Sequence, residues 1–381
     1  MIPMRVRARH YATGEPVEIV CDRGRISSVG PPTEAAADRE GQWVAPTLFD
    51  LQINGGDGCS FNSDRLTKDQ VLRVIALCRR HGIGGFCPTL VTNAFSALVH
   101  ALTTLRQACE QDAEVESTLP AFHLEGPYIS EEDGPRGAHP RQHVRPPDWD
   151  EFRRLQDAAG GRIRLVTLAP EKEGALEFIE RLAGSGVVVA IGHTAASGAR
   201  IREAIATGAR LSTHLGNGAH EVLPRHENYI WEQLAEDALW ASIICDGYHL
   251  PPAVVHCIVR VKTPARLILT CDAGSLAGLP AGRYQEWSQD LDVLPEGKIV
   301  VAGTRYLAGS HAFTDTCIGN IIRDAGVSLS EAVDMASARP RELLGLPACR
   351  LEPGFPAELV LFDWNEAGPF RVTGMVNIAD M

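Results

Sequence analysis

Four short apolar runs in this chain each end on a residue able to bind metal or move a proton. They are Ala121-Phe122-His123-Leu124-Glu125, Val187-Val188-Val189-Ala190-Ile191-Gly192-His193, Arg210-Leu211-Ser212-Thr213-His214 and Leu267-Ile268-Leu269-Thr270-Cys271-Asp272. Short apolar runs bounded by turn residues are consistent with strands buried on both faces, as in a parallel sheet covered by helices. A Glu, two His and an Asp delivered from four separate strand ends is how a (β/α)8 barrel gathers a metal-hydrolase site on one rim. Fold and chemistry are constrained together.

Strand-like segments number eight, at 48–53, 85–91, 121–125, 162–169, 186–192, 210–214, 240–246 and 266–272. Helical periodicity separates most of them, as in 69–78 behind a Thr67 N-cap, 174–182 and 197–205. Alternating β and α units imply a parallel sheet. A doubly wound sheet is the rival, but no Gly-x-Gly-x-x-Gly opens a helix after a strand, so a TIM-like barrel is favoured. The first forty-odd residues read as β, with a turn at Asp22-Arg23-Gly24 between 17–20 and 25–29, and the tail carries Leu359-Val360-Leu361-Phe362-Asp363. Both termini, 1–46 and 350–381, are therefore expected to build one small β-sandwich domain around a barrel spanning 47–349. A barrel needs roughly 250 residues, and 381 leaves room for that addition.

A net charge of −12 argues against nucleic acid or an anionic membrane as partner, while leaving an anionic small substrate open. Ten scattered Cys without a Cys-x-x-Cys, no apolar leader at the start and no bilayer-length apolar stretch lead to an expected cytoplasmic location. Two irregular stretches follow candidate ligands: 126–150 behind Glu125 and 216–230 behind His214. Loops placed so are expected to wall an active site.

Catalytic Zn2+ takes about three protein ligands and keeps one position open. Glu125, His193 and His214 supply that set. A single strand-end His is more often a hydrogen-bonding side chain, but two on successive strands with a Glu reverse those odds. Asp272 is the candidate proton carrier, with a turn cap as its plainer role. His249, behind the seventh strand, is positioned to polarise a substrate carbonyl or is a loop histidine.

The segments Pro46-Thr47-Leu48-Phe49-Asp50-Leu51-Gln52-Ile53-Asn54-Gly55, His123-Leu124-Glu125-Gly126-Pro127-Tyr128, Gly192-His193-Thr194, Thr213-His214-Leu215-Gly216-Asn217, Asp246-Gly247-Tyr248-His249 and Leu307-Ala308-Gly309-Ser310 together give a resemblance over almost the whole chain. The chain resembles the N-acetylglucosamine-6-phosphate deacetylases of the amidohydrolase superfamily. Many amidohydrolases carry His-x-His on strand one for a second metal, where this chain has Gln52-Ile53-Asn54; amides are poor Zn ligands, so one metal is expected. The resemblance implies a divalent ion, Zn2+ first and Fe2+ as an alternative, held by Glu125, His193 and His214. It implies that Asp272 is general base and acid and that His249 contacts substrate. Ala138, Asn217, Gly218, Leu307, Ala308 and Gly309 match substrate-contact positions, and Arg225 matches a phosphate-binding position. It implies a homodimer. Where the family often reads Tyr-Asn-Ala-Met after the second His, this chain has Gly216-Asn217-Gly218-Ala219-His220, and 223–231 is bulkier. The expected activity is metal-dependent removal of acetate from N-acetylglucosamine 6-phosphate. The alternatives are a different N-acyl sugar or N-acyl amino acid without a phosphate requirement, and a non-catalytic sugar-phosphate binder.

Overall fold

The computed structural model describes residues 3–286, 289–366 and 368–377. Eight parallel strands, Leu48–Ile53, Ile83–Val91, Phe122–Glu125, Ile163–Leu168, Val188–Ile191, Ala209–Ser212, Trp240–Ile244 and Leu267–Thr270, hydrogen-bond in chain order. These are the eight segments read from the sequence, with ends moved by up to two residues. The ring closes through one bridge, Ile53 with Ala273, where the Asn54 amide donates to the Ala273 carbonyl at 2.9 Å.

So thin a backbone seam is reinforced from inside. The buried Asp50 carboxylate on the first strand accepts hydrogen bonds from the Gln52 amide, the Cys271 amide and the Thr270 and Thr314 hydroxyls. Burial raises its pKa. Four donors offset the desolvation of a buried carboxylate.

Below the rim the barrel is filled by Phe49, Ala121, Leu165, Ala190, Leu211 and Ile268, with Leu344 packed against them. Above this apolar layer lies a polar one. His123 bonds Thr167 through Nε2 at 2.7 Å, and Thr167 bonds the Thr213 hydroxyl at 2.7 Å. The first helix, Lys68–Arg80, begins at the expected N-cap Thr67, which forms a capping box with Gln70. Ser197 caps Gly198–Thr207 by accepting from the Arg200 amide.

The β-sandwich domain expected from the two termini is present. Its strands share one six-stranded sheet, ordered Arg371–Val376, Leu359–Asp363, Arg39–Pro46, Met4–His10, Pro16–Asp22 and Arg25–Gly30. Val6, Ile19, Ile26, Val44, Leu361 and Val376 form its core. Residues 1–2, 367 and 378–381 of the expected terminal segments lie outside the described residues.

One element was not anticipated. Between the eighth strand and the helix Thr314–Ala325, four antiparallel strands, Gly282–Glu286, Gln289–Val293, Lys298–Val301 and Leu307–Ser310, form a separate small sheet. It is anchored to the barrel rim: the Ser310 amide donates to the Asp272 carbonyl at 2.8 Å, and the Gly274 amide to the Ser310 carbonyl at 3.1 Å.

Candidate active site

At the C-terminal rim, Glu125 Oε1 lies 3.2 Å from His193 Nε2 and 3.0 Å from His214 Nε2, and the two nitrogens lie 3.1 Å apart. All three residues are buried. Two atoms bound to one tetrahedral Zn2+ at ~2.0–2.1 Å stand about 3.3 Å apart, so this donor triangle has the size a single ion requires. The donor set, two imidazoles and one carboxylate, is also a catalytic zinc set. His193 Nδ1 sits 2.8 Å from the Pro135 carbonyl. A proton on Nδ1 donated there leaves the Nε2 lone pair aimed at the centre. Burial alone would raise the Glu125 pKa, but the two imidazoles hold the carboxyl well below its usual range. Residues and geometry fit a divalent metal.

The strand ends present these groups through uncommon backbone. His193, His214 and Asp272 adopt φ of +50, +31 and +52°. Each costs on the order of 1–3 kcal/mol for a residue with a Cβ. The turn immediately after each strand aims the side chain over the barrel mouth, which a straight continuation would not do.

Asp272 Oδ1 accepts from Gln52 Nε2 at 3.0 Å and from Asn54 Nδ2 at 2.6 Å. Gln52 Nε2 also donates to Glu125 Oε1 at 2.9 Å. Gln52 and Asn54 together therefore hold two carboxylates beside each other. Burial, then the Glu125 charge, pushes the Asp272 pKa up to about 8. His249 Nδ1 is 2.7 Å from Asp246 Oδ2. Asp246 Oδ1 accepts from the Tyr248 and His249 amides, and its Oδ2 from the Ser310 hydroxyl. Burial raises the Asp246 pKa, yet the His249 hydrogen bond and charge outweigh it and the carboxyl is held low.

These groups open into a cavity of about 400 Å3, ample for a monosaccharide. Asn54, Glu125, His193, His214, His249 and Asp272 line it, as do Ala138, Asn217, Gly218, Leu307 and Gly309. Gln52 supports them from behind. Ala308 does not reach the wall; it is buried in the core of the small sheet with Leu276, Leu291 and Ile299. Arg225 is exposed in the 216–228 loop and also lies off the wall.

Three further residues bear on the site. His139 lines the cavity, bonds the Thr92 hydroxyl at 2.8 Å and packs edge-on against His193 at 4.3 Å. Burial lowers its pKa to about 3. Asp246 orients His249. His220 ties the two long loops together, meeting Glu132 at 3.1 Å and the Tyr229 hydroxyl at 3.0 Å. Asp246 stands three residues before His249 in a segment already singled out, and that spacing was the available signal. Nothing local marks His139 or His220 within loops that lack periodicity.

An eight-stranded parallel barrel with a Glu-His-His cluster and a facing Asp on its C-terminal rim is a barrel metallohydrolase in class. The chain belongs to the amidohydrolase family, whose model matches residues 43–378. It is 32% identical to N-acetylgalactosamine-6-phosphate deacetylase of Escherichia coli O157:H7, with 89% of each chain covered. It is 35% identical to N-acetylglucosamine-6-phosphate deacetylase of Homo sapiens, covering 86% of this chain and 81% of the relative. The structure of N-acetyl-D-glucosamine-6-phosphate deacetylase from Mycobacterium smegmatis, a point mutant in complex with N-acetyl-D-glucosamine-6-phosphate, superposes with a TM-score of 0.89 at 32% identity, covering 99% of this chain and 98% of that one. No helix among the described residues is long and apolar enough to cross a membrane.

Proposed function

We propose that this chain is a hydrolase that removes the acetyl group of N-acetylglucosamine 6-phosphate, giving acetate and glucosamine 6-phosphate. The observation that carries this is the placement of Asp272 beside the Glu125–His193–His214 triangle, joined to it through one shared amide, Gln52. Glu125, His193 and His214 hold one divalent ion, Zn2+ in the first instance. When bound, the ion supplies Lewis acidity toward water and the acyl oxygen, and its charge offsets the mutual repulsion of Glu125 and Asp272.

The protein's own groups do the rest. With Oδ1 of Asp272 held by Gln52 and Asn54, Oδ2 is the oxygen that takes a proton from the attacking water. His249 donates toward the acyl oxygen as the carbonyl carbon becomes tetrahedral, a contribution worth roughly 3 kcal/mol per well-placed donor. Asp246 fixes the ring so that Nε2 faces the cavity. Asp272 then hands its proton to the nitrogen as the C–N bond breaks. Asn217, Gly218, Ala138, Leu307 and Gly309 position the sugar; Ala308 acts through the small sheet beneath it.

A second reading concerns the hexose. The relative from Escherichia coli O157:H7 acts, by its name, on the galactosamine epimer, and its match covers 89% of this chain against 86% for the human glucosamine relative. The 4-hydroxyl configuration is thus an open variable of the same reaction. We further propose a homodimer whose interface includes the exposed apolar residues Trp231, Val254 and Val261 on neighbouring helices. We place the chain in the cytoplasm, in keeping with ten free thiols of which nine are buried. The proposed domain limits are 1–46 with 350–381 for the β domain, and 47–349 for the barrel.

Acetate release is the test. N-acetylglucosamine 6-phosphate, its galactosamine epimer and unphosphorylated N-acetylglucosamine are compared, with metal quantified in the same sample. Release from a phosphorylated sugar with about one metal per chain is expected. No release from any of them at full metal occupancy would move the substrate to other N-acyl compounds.

A further inference from the structure

A histidine that binds metal through one nitrogen is oriented by whatever grips the other. For His193 that grip is the Pro135 carbonyl, 2.8 Å from Nδ1, in a loop stretch with no strand or helix. Something must fix Pro135 in turn. Local turns do part of it: the Arg136 amide donates to the Glu132 carbonyl and the Gly137 amide to the Gly134 carbonyl, both at 3.0 Å. The ends of the stretch are tied by the Ser130 amide on the His193 carbonyl and by His139 on the Thr92 hydroxyl. Between those ends its outer edge meets the loop behind His214.

That meeting runs through three side chains. Tyr229 is buried at the start of the Asn228-capped helix Tyr229–Ala235. Its hydroxyl accepts the His220 amide at 2.7 Å and lies 3.0 Å from His220 Nδ1. His220 Nε2 lies 3.1 Å from Glu132 Oε2. An ionised carboxylate only accepts, so the ring proton belongs on Nε2, and Nδ1 takes the tyrosine hydrogen. Among the described residues this is the one hydrogen bond between the 126–150 and 216–228 loops. The backbones also touch here: a Cβ on Gly134 would stand 3.0 Å from His220 Cα and 3.1 Å from the Ala219 carbonyl oxygen. His193 sits within the clasp, with Gly137 of one loop and Gly218 of the other against its ring.

We propose that His220, braced by Tyr229 and clasping Glu132, is a positioning residue for the metal ligand His193. The clasp holds the 131–138 stretch so that the Pro135 carbonyl keeps His193 Nε2 aimed at the ion. The proposal rests on the one-metal reading above and assigns the retention of that metal to a contact between two loops. His220 also lines the cavity, so a contact with substrate is the competing role. Glu132 is off the wall and separates the two roles.

The experiment is chelator competition for Zn2+ on the full chain, read by elemental analysis. The visible spectrum of the Co2+-loaded protein and melts of the metal-free protein are taken in parallel. His220→Ala, Glu132→Ala, their double variant and His220→Gln are compared with wild type. Each single alanine variant should weaken metal binding about 10-fold, the lower end for losing an outer-shell partner, and should alter the Co2+ bands. The double variant should be no worse than either single one, because both cut the same link. His220→Gln, whose amide nitrogen can replace Nε2 toward Glu132, should recover most of the affinity. Metal-free melts should move little, since Glu132 is 60% exposed. Wild-type affinity in Glu132→Ala overturns the proposal even where His220→Ala is impaired, and so do additive losses in the double variant. A wild type that takes up no metal refutes the one-metal reading itself; a metal-loaded wild type with indifferent variants refutes the clasp alone.

Discussion

Replacing Gly218 by Ala should cost this protein its metal. A Cβ built on Gly218 would stand 2.8 Å from His193 Nδ1 and 3.0 Å from Cε1. Comfortable non-bonded separations begin near ~3.5 Å, so the imidazole must retreat by roughly half an ångström or more. It has no room: the Pro135 carbonyl grips Nδ1 at 2.8 Å and the His139 ring packs edge-on at 4.3 Å. Metal–ligand distances tolerate only about 0.2 Å. The backbone adds its own cost, because Gly218 has φ +56°, where a side chain is unfavourable by roughly 1–2 kcal/mol. Gly137 separates the two effects. Its φ is +58°, but its Cβ would meet the same ring at 3.4 and 3.6 Å, an ordinary contact. Gly137→Ala should therefore show the backbone cost alone, while Gly218→Ala adds the clash, loses more stability and weakens metal binding by about 10- to 100-fold, as when a ligand's supporting contact is removed. Competition with a graded chelator, read by elemental analysis alongside thermal melts, measures both. Equal metal retention in the two variants would refute the argument that this glycine sets the position of His193.

Asp272→Asn should lower kcat by roughly 10²–10⁴-fold with metal content unchanged, the scale of a lost general base and acid; near wild-type turnover would remove Asp272 from the proton path. Asp246→Asn should reduce kcat while leaving metal in place, since the cavity-lining side chain it bonds is His249; loss of metal instead would mark it as a scaffold for the whole rim. Lys262 is buried against the Glu236 and Leu239 carbonyls, and burial lowers its pKa from 10.5 to about 8. The unfolded chain thus binds more protons between these values, so unfolding free energy should rise as pH increases from about 8 toward 10.5. Urea melts at about pH 7.5 and 10 on wild type and Lys262→Met test the sign, which the variant should lack.

How much of this was legible before the structure differs by layer. The eight barrel strands were, because a strand covered on both faces must be apolar almost throughout, and runs such as Val187–Ile191 are too short for a helix and rich in β-branched residues. The meeting of Glu125, His193 and His214 followed, since a strand end is a fixed address on the rim. The left-handed turns that aim His193, His214 and Asp272 were not, for none of these residues advertises positive φ as a glycine does. The four strands between 282 and 310 escaped because they are short and several face solvent, so Gly282–Glu286 shows no apolar alternation. Arg225 was singled out by the resemblance, and in this chain it stands exposed in the 216–228 loop, off the cavity wall. Asp50 stood in view inside a matched segment, yet its task of closing the barrel depends on Thr270 and Thr314, more than two hundred residues away.

Ser310 limits how such a protein can change over generations. Barrels acquire new substrates mainly by exchanging the loops above their strands while the rim chemistry is preserved. The small antiparallel sheet is not free in that sense. Its last strand ends on a serine bonded by its amide to the Asp272 carbonyl and by its hydroxyl to Asp246, so replacing the sheet disturbs Asp272 and the His249 support together. The 216–228 loop has no such tie to either aspartate among the described residues. Drift in substrate range is therefore cheap on one side of the mouth and coupled to turnover on the other, which makes residues 221–227, past the His220 clasp, the place to diversify first in a library.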